Sequence, residues 1–269
     1  MKTTAIACFI ASSSLTCAAT ASELTFRTEA VPLEAQVIAN GLRHPWGLDF
    51  LPDGSTVVTE RSGQIRIISP QHELSPPVEG VPEVVARGQG GLLDIVASPD
   101  FATSNLVFFS FSQAGTGGSG TAVARARLVR EDGGARLEDV EVIFSMAKKS
   151  RVTRHFGSRL VIAPDGTLFI TTGDRGARNR AQDIHDHAGA ILRINTDGSI
   201  PADNPSPDGT KHLPEIWSKG HRNPQGAAWD PVLGGLVTAE HGDKGGDEIN
   251  FPQAGLNYGW PVISYGVTY

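Results

Sequence analysis

The chain has 269 residues, a net charge of −6, and 19% charged against 39% hydrophobic residues. That is enough apolar material for a buried core, and the acidic balance argues against a nucleic-acid binder, whose phosphate contacts need a basic surface. The 31 glycines and 17 prolines favour many short strands joined by turns over long helices.

The N-terminus reads as an export signal. Lys2 supplies a positive start, residues 5–11 a short apolar run, and Ala19-Thr20-Ala21 a small-x-small cleavage site. The run is too short to cross a bilayer as a helix, and no later segment is apolar for long enough. The expected division is a signal peptide at 1–21 and one domain at 22–269, in a periplasmic or secreted protein. Cleavage would remove one basic and no acidic residue, taking the charge from −6 to −7. Cys8 and Cys17 both lie in the leader, so the mature chain would have no cysteine for a disulfide, a thiolate metal site or a nucleophile.

Four stretches then share one pattern: an apolar strand, a turn of Pro-Asp or Asp-Gly type, and a second apolar strand. The first has Pro52-Asp53-Gly54 between residues 47–51 and 56–60, followed by 64–68. The second has Ser98-Pro99-Asp100 between 91–97 and 106–111. The third has Pro164-Asp165-Gly166 between 159–163 and 167–172. The fourth reverses the turn as Asp230-Pro231, between 226–229 and 235–239. Such units predict hairpins. Their recurrence at intervals of roughly 40 to 70 residues predicts propeller blades with loop insertions, a β-sandwich being the alternative. Residues 115–120 read as a Gly/Ser-rich loop tip and 148–154 as an exposed basic loop. Four units ending at Tyr269 make a short ring, so the fold is expected to be incomplete within this chain.

Four segments between these strands carry candidate chemistry. His155, in Arg154-His155-Phe156-Gly157-Ser158-Arg159, is an imidazole at a strand start, placed to take a proton near neutral pH. Arg222 and Asn223, in His221-Arg222-Asn223-Pro224-Gln225-Gly226, offer a planar donor fork and a neutral amide. The loop 241–248 combines acidic side chains with tight Gly turns, the oxygen-rich setting that hard cations use. Gln89 stands between glycines that allow close approach of backbone to a flat ligand. Taken singly, each also reads as an ordinary loop: a surface His, a solvated Arg, a turn Asn, an acidic turn, a flexible hairpin.

Taken together and in order, the segments resemble the PQQ-dependent soluble aldose dehydrogenases of the glucose/sorbosone dehydrogenase family. The matching pieces run from His44-Pro45-Trp46-Gly47-Leu48 through Gln89-Gly90-Gly91, His155-Phe156-Gly157-Ser158-Arg159 and Gly173-Asp174-Arg175-Gly176. They continue through residues 221–226 and 245–250 to Asn257-Tyr258-Gly259-Trp260-Pro261. The resemblance implies an all-β fold, a six-bladed β-propeller of which about four blades lie in this chain. It implies PQQ and Ca²⁺ as cofactors and an aldose oxidised at C1 to the lactone, hydride passing to PQQ. His155 is then the general base, and Gln89, Arg222 and Asn223 bind PQQ. The carbonyls of Gly242 and Asp243 hold the calcium that grips PQQ, while Glu248 and the carbonyl of Tyr258 belong to a further calcium site. Two departures stand out: Asp243 occupies a position where the family commonly has Pro, and Arg154 one where glucose-type members carry an acid. Basic PQQ contacts from the family's later part have no counterpart here, so this chain alone is expected to bind PQQ weakly or not at all. The partners expected are a small sugar and an electron acceptor that the sequence does not name, with no nucleic acid and no membrane span. The alternatives are a calcium-dependent sugar lactonase, which leaves His155 and Arg222 without a role, and a non-catalytic propeller that binds a ligand.

Overall fold

The computed structural model describes residues 23–27, 29–131 and 133–267. The expected signal peptide, with Cys8 and Cys17, lies outside the described residues. The chain divides into two compact units at Asn40/Gly41. In the first, β1 (Glu23–Arg27) and β2 (Pro32–Gln36) form an antiparallel hairpin.

The second unit holds four antiparallel sheets that follow one another along the chain. They are β3–β5 (Pro45–Phe50, Thr56–Glu60, Gln64–Ile68) and β6–β9 (Leu92–Ala97, Leu106–Gly115, Gly118–Glu131, Gly134–Ser145). Then come β10–β13 (Leu160–Ile162, Thr167–Thr171, Ala190–Asn195, Ile216–Lys219) and β14–β16 (Pro224–Asp230, Gly235–Glu240, Glu248–Asn250). Each sheet is a meander whose strands pair in chain order, the pattern of propeller blades. The four hairpins expected from sequence are the first two strands of each sheet.

Sequence alternation explains the packing. Side chains on a strand point alternately to opposite faces. Val107, Phe109 and Phe111 of β7 pack with Val57, Ile65 and Ile67 of the first sheet. Phe108, between them, packs with Leu168, Ile170 and Leu192 of the third. Phe169 and Ile191 turn the other way, toward Leu236 and Trp229 of the fourth. The two middle sheets are therefore buried on both faces. The outer sheets leave apolar side chains open: Leu48 and Phe50 of β3 are 54% and 74% exposed, and Ile249 of β16 is 65% exposed.

Turn chemistry sets the hairpins. In the first and third, the Asp carboxylate accepts the N–H and hydroxyl of the residue two ahead: Ser55 onto Asp53, Thr167 onto Asp165. The intervening Gly54 and Gly166 adopt φ of +83° and +82°, which glycine takes without a Cβ penalty. The second turn differs from expectation, for Asp100 opens a single helical turn, α1 (Phe101–Ser104). Its carboxylate takes the Ser98 and Ser104 hydroxyls and so favours the helical turn over a tight reversal. The Gly/Ser-rich stretch 115–120 is also tighter than a loop, because β7 and β8 pair as far as Gly115 and Gly118.

Arg159 ties all four sheets together. Its guanidinium bonds Asp94 of β6 at 2.6 Å and the Gln225 carbonyl of β14 at 3.0 Å, and lies 4.7 Å from the Trp46 ring centroid of β3. Asp94 also accepts the Leu160 N–H at 2.8 Å. Burial pushes the Asp94 carboxyl up to about 6, outweighing Arg159 and these N–H donors, which act to lower it.

Candidate active site

The β10–β11 hairpin builds the centre of the site. Leu160 pairs with Ile170, and the ladder continues past the strand ends through Ser158 N–H to the Thr171 carbonyl at 2.7 Å. Carried outward, the same register brings residue 155 opposite 174–175. His155 Nδ1 accordingly meets Asp174 Oδ1 at 2.7 Å. Both are buried, Asp174 completely and His155 to 8% exposure. Asp174 also accepts the Gly176 N–H at 2.6 Å and, on Oδ2, the Trp260 indole N–H at 2.9 Å. Burial works against its charge, but His155 and these donors together hold the carboxyl below the usual carboxylate range. A carboxylate only accepts hydrogen bonds, so Nδ1 is a protonated ring nitrogen, and in the neutral imidazole this tautomer leaves the lone pair on Nε2.

This pair faces a cavity of about 360 Å³ lined by Arg154, His155, Asp174, Gly176, Arg178, Arg222, Asp243 and Trp260. A larger hollow of about 640 Å³ beside Phe101 and Arg127 has no His in its wall, and one of about 260 Å³ beside β16 has Glu240 in its wall, whose partner His221 is fully buried outside it. The cavity wall is rich in guanidinium. Arg178 and Arg222 lie 4.6 and 5.3 Å from the Trp260 ring centroid, and both reach the buried Asp243 carboxylate, at 3.3 and 3.7 Å. Arg222 is fixed through its backbone N–H to Glu240 and through Nη1 to the His241 carbonyl at 3.3 Å. Its Nε is buried without a hydrogen-bond partner among the described residues.

The other expected cofactor residues are placed differently. Gln89 Oε1 accepts the His155 backbone N–H at 2.7 Å, and buried Asn223 Oδ1 accepts the Gly157 N–H at 3.0 Å. Both therefore brace the loop that carries His155. In the acidic loop, Gly242 donates to Asp247 at 2.9 Å, and its Cα sits so close to the Gly245 and Gly246 carbonyls that a Cβ would collide with them. Glu248 accepts from Asn250 at 3.1 Å, and the Tyr258 ring stacks on His221 at 4.8 Å. Neither lines the cavity. Among the described residues no three His, Cys, Asp or Glu side chains converge as a metal cluster, so a cation at Gly242 and Asp243 would depend on backbone carbonyls. Asp174 and Trp260 lie inside the motifs that carry the resemblance, but the sequence alone assigns them no role.

Residues 42–269 match the family described as glucose/sorbosone dehydrogenase. The chain belongs to that family. Within the glucose/sorbosone dehydrogenase family it is 44% identical to an aldose sugar dehydrogenase of Escherichia coli (strain K12), over 88% of this chain and 64% of the relative. It is 33% identical to quinoprotein glucose dehydrogenase B of Acinetobacter calcoaceticus, over 86% of this chain and 53% of the relative. The PQQ-bound structure of an aldose sugar dehydrogenase from Streptomyces coelicolor superposes with a TM-score of 0.76 at 31% identity, covering 92% of this chain and 68% of that one. The chain thus spans between about half and two thirds of the length of these two curated relatives. No helix among the described residues is long and apolar enough to cross a membrane.

Proposed function

We propose that the protein is a PQQ- and Ca²⁺-dependent aldose dehydrogenase in which His155 takes the proton of the sugar's anomeric hydroxyl. The 2.7 Å contact between His155 Nδ1 and ionised Asp174, at the wall of an arginine-rich cavity, carries this reading. Asp174 fixes the tautomer that leaves Nε2 as acceptor and stabilises the imidazolium formed when the proton arrives. PQQ, when bound, supplies the hydride acceptor for C1.

The residues present suit such a group. A flat quinone bearing carboxylates is matched by the Trp260 face, by Arg154, Arg178 and Arg222, and by the unpartnered Nε of Arg222. Arg222 would stabilise negative charge developing on a quinone oxygen. Gln89 and Asn223 hold the base's loop through their amide oxygens, and their amide nitrogens are assigned to PQQ. The carbonyls of Gly242 and Asp243 would hold Ca²⁺, with Glu248 and the Tyr258 carbonyl assigned to a second calcium outside the cavity. The four sheets are four blades of a six-bladed ring, a reading supported by the exposed Phe50 and Ile249 on the outer faces. Residues 1–21 act as the export signal.

Dye-linked aldose oxidation by the full-length protein with added PQQ and Ca²⁺ tests the assignment. The His155→Ala variant should retain the absorbance shift of bound PQQ and lose turnover. Unchanged turnover would remove His155 from the mechanism. Lactone hydrolysis without PQQ would favour the lactonase reading.

A further inference from the structure

Arg175 is a buried cation that the proposed reaction does not use. It is the largest of the fully buried side chains, at 0% exposure, and among the described residues no carboxylate lies within ion-pairing distance of it. Burial, with the nearby Arg180 charge, pulls its pKa down to about 9, and Asp174 pulls the other way, so it remains a cation at neutral pH. Its backbone adopts φ +56°, in the left-handed region. A buried cation without a direct ion pair among the described residues and a strained non-glycine backbone are both costly, and they persist where the surroundings over-determine them.

The surroundings here are the loop of the base. The guanidinium fork donates to the Val152 carbonyl at 2.6 Å and to the Arg154 carbonyl, the peptide that leads into His155. Its plane lies over the Phe156 ring, 3.4 Å from the centroid. A planar fork can hold two carbonyls in one fixed geometry, which an ammonium cannot reproduce. The flanking glycines admit the same loop. A Cβ on Gly173 would collide with the His155 carbonyl, and one on Gly176 would sit 2.8 Å from Arg154 Nε and 2.9 Å from Val152 Cγ1. Asp174, between them, takes the imidazole itself.

We propose that Arg175 is a positioning residue for His155, with residues 173–176 acting as a template on which loop 152–156 is moulded. The inference rests on His155 being the base, but its test does not. The full chain, without cofactor, is compared with Arg175→Met and Arg175→Lys by proton NMR and amide exchange. The reporter is the downfield Nδ1–H signal of the His155–Asp174 pair, assigned by its loss in His155→Gln. In Arg175→Met this signal should broaden or vanish. The amides of His155 and Gly157 should exchange about tenfold faster or more, while those of β11 keep their protection. Arg175→Lys, which keeps the charge and one carbonyl bond, should fall between. An unaltered signal and unaltered loop amides in Arg175→Met overturn the proposal, as does a loss of protection spread equally over β11. If Arg175→Met does not fold, Arg175→Lys decides: a displaced or broadened signal supports positioning, and an unmoved one overturns it. Failure of the dehydrogenase reading would appear separately, as unchanged turnover in His155→Ala.

Discussion

The two sides of the cavity are built on different terms. On the base side, His155, Gly157, Asp174 and Asn223 are tied by hydrogen bonds of 2.7 to 3.0 Å between buried groups. On the other side, Arg222 has an Nε unpartnered among the described residues, Asp243 is shared loosely by two arginines, and the Gly245 and Gly246 carbonyls close on Gly242. Proton transfer depends on a fixed distance and a fixed tautomer, which the protein must impose before the substrate arrives. Charge that waits for a ligand is completed by the ligand. Changes on the base side should therefore strike turnover, and changes on the other side should strike affinity.

The largest effect should come from His155→Ala, with turnover lost by about 10²–10⁴-fold at little change in PQQ absorbance titration. An equal loss of PQQ affinity would break the contrast. Asp174→Asn should follow, at about 10²-fold in kcat with KM nearly constant, because an amide no longer selects the tautomer or stabilises the imidazolium. Steady-state kinetics separate the two terms.

Two buried carboxyls give opposite pH responses in thermal melts. The folded-state pKa of Asp174 is depressed, so its contribution is present above the unfolded value of 3.8 and is lost as pH falls through the folded one. Asp174→Asn should flatten the acid limb below about pH 4. Asp94 is raised to about 6, so its contribution is full below 3.8 and is lost as pH rises through about 6. Asp94→Asn should flatten that decline between roughly pH 4 and 6, at the cost of its Arg159 bond. A profile that keeps its slope in either variant would contradict the corresponding shift. The smallest effect should be that of Asp243→Asn, which leaves the carbonyl in place. The calcium concentration for half-maximal stabilisation should move by only about two- to fivefold, and a larger shift would make the Asp243 side chain itself a ligand.

Much of this architecture is legible in the sequence. The Asp53 and Asp165 turns fix two hairpins almost to the residue, since a carboxylate two positions before Ser or Thr is a local device. The later strands of each sheet are harder to read. Strand β9 buries only Leu137 and Phe144, seven residues apart, and leaves residues 139–142 exposed in a row, so no two-residue period marks it, and β13 is only four residues long. His155 takes a role from its motif, whereas Asp174, though inside the matching Gly173–Gly176 piece, takes none, because their contact depends on a register extending beyond β10 and β11. That register was recoverable: following the ladder outward from the Pro164-Asp165-Gly166 turn leads from His155 to Asp174 or its neighbour. Trp260 could not be found this way, since it arrives from a segment 86 residues beyond Asp174; Arg178, four residues after Asp174, lies on a short 3-10 turn outside the ladder.

One consequence follows from where the base and its partner sit. His155 precedes β10 and Asp174 follows β11, so both belong to a single hairpin of the third sheet. Arg222, in the link between β13 and β14, is tied to that same hairpin, because its carbonyl accepts the Asp174 N–H at 2.8 Å. Seating of a guest beside Arg222 and fidelity of the acceptor are thereby linked through one backbone contact.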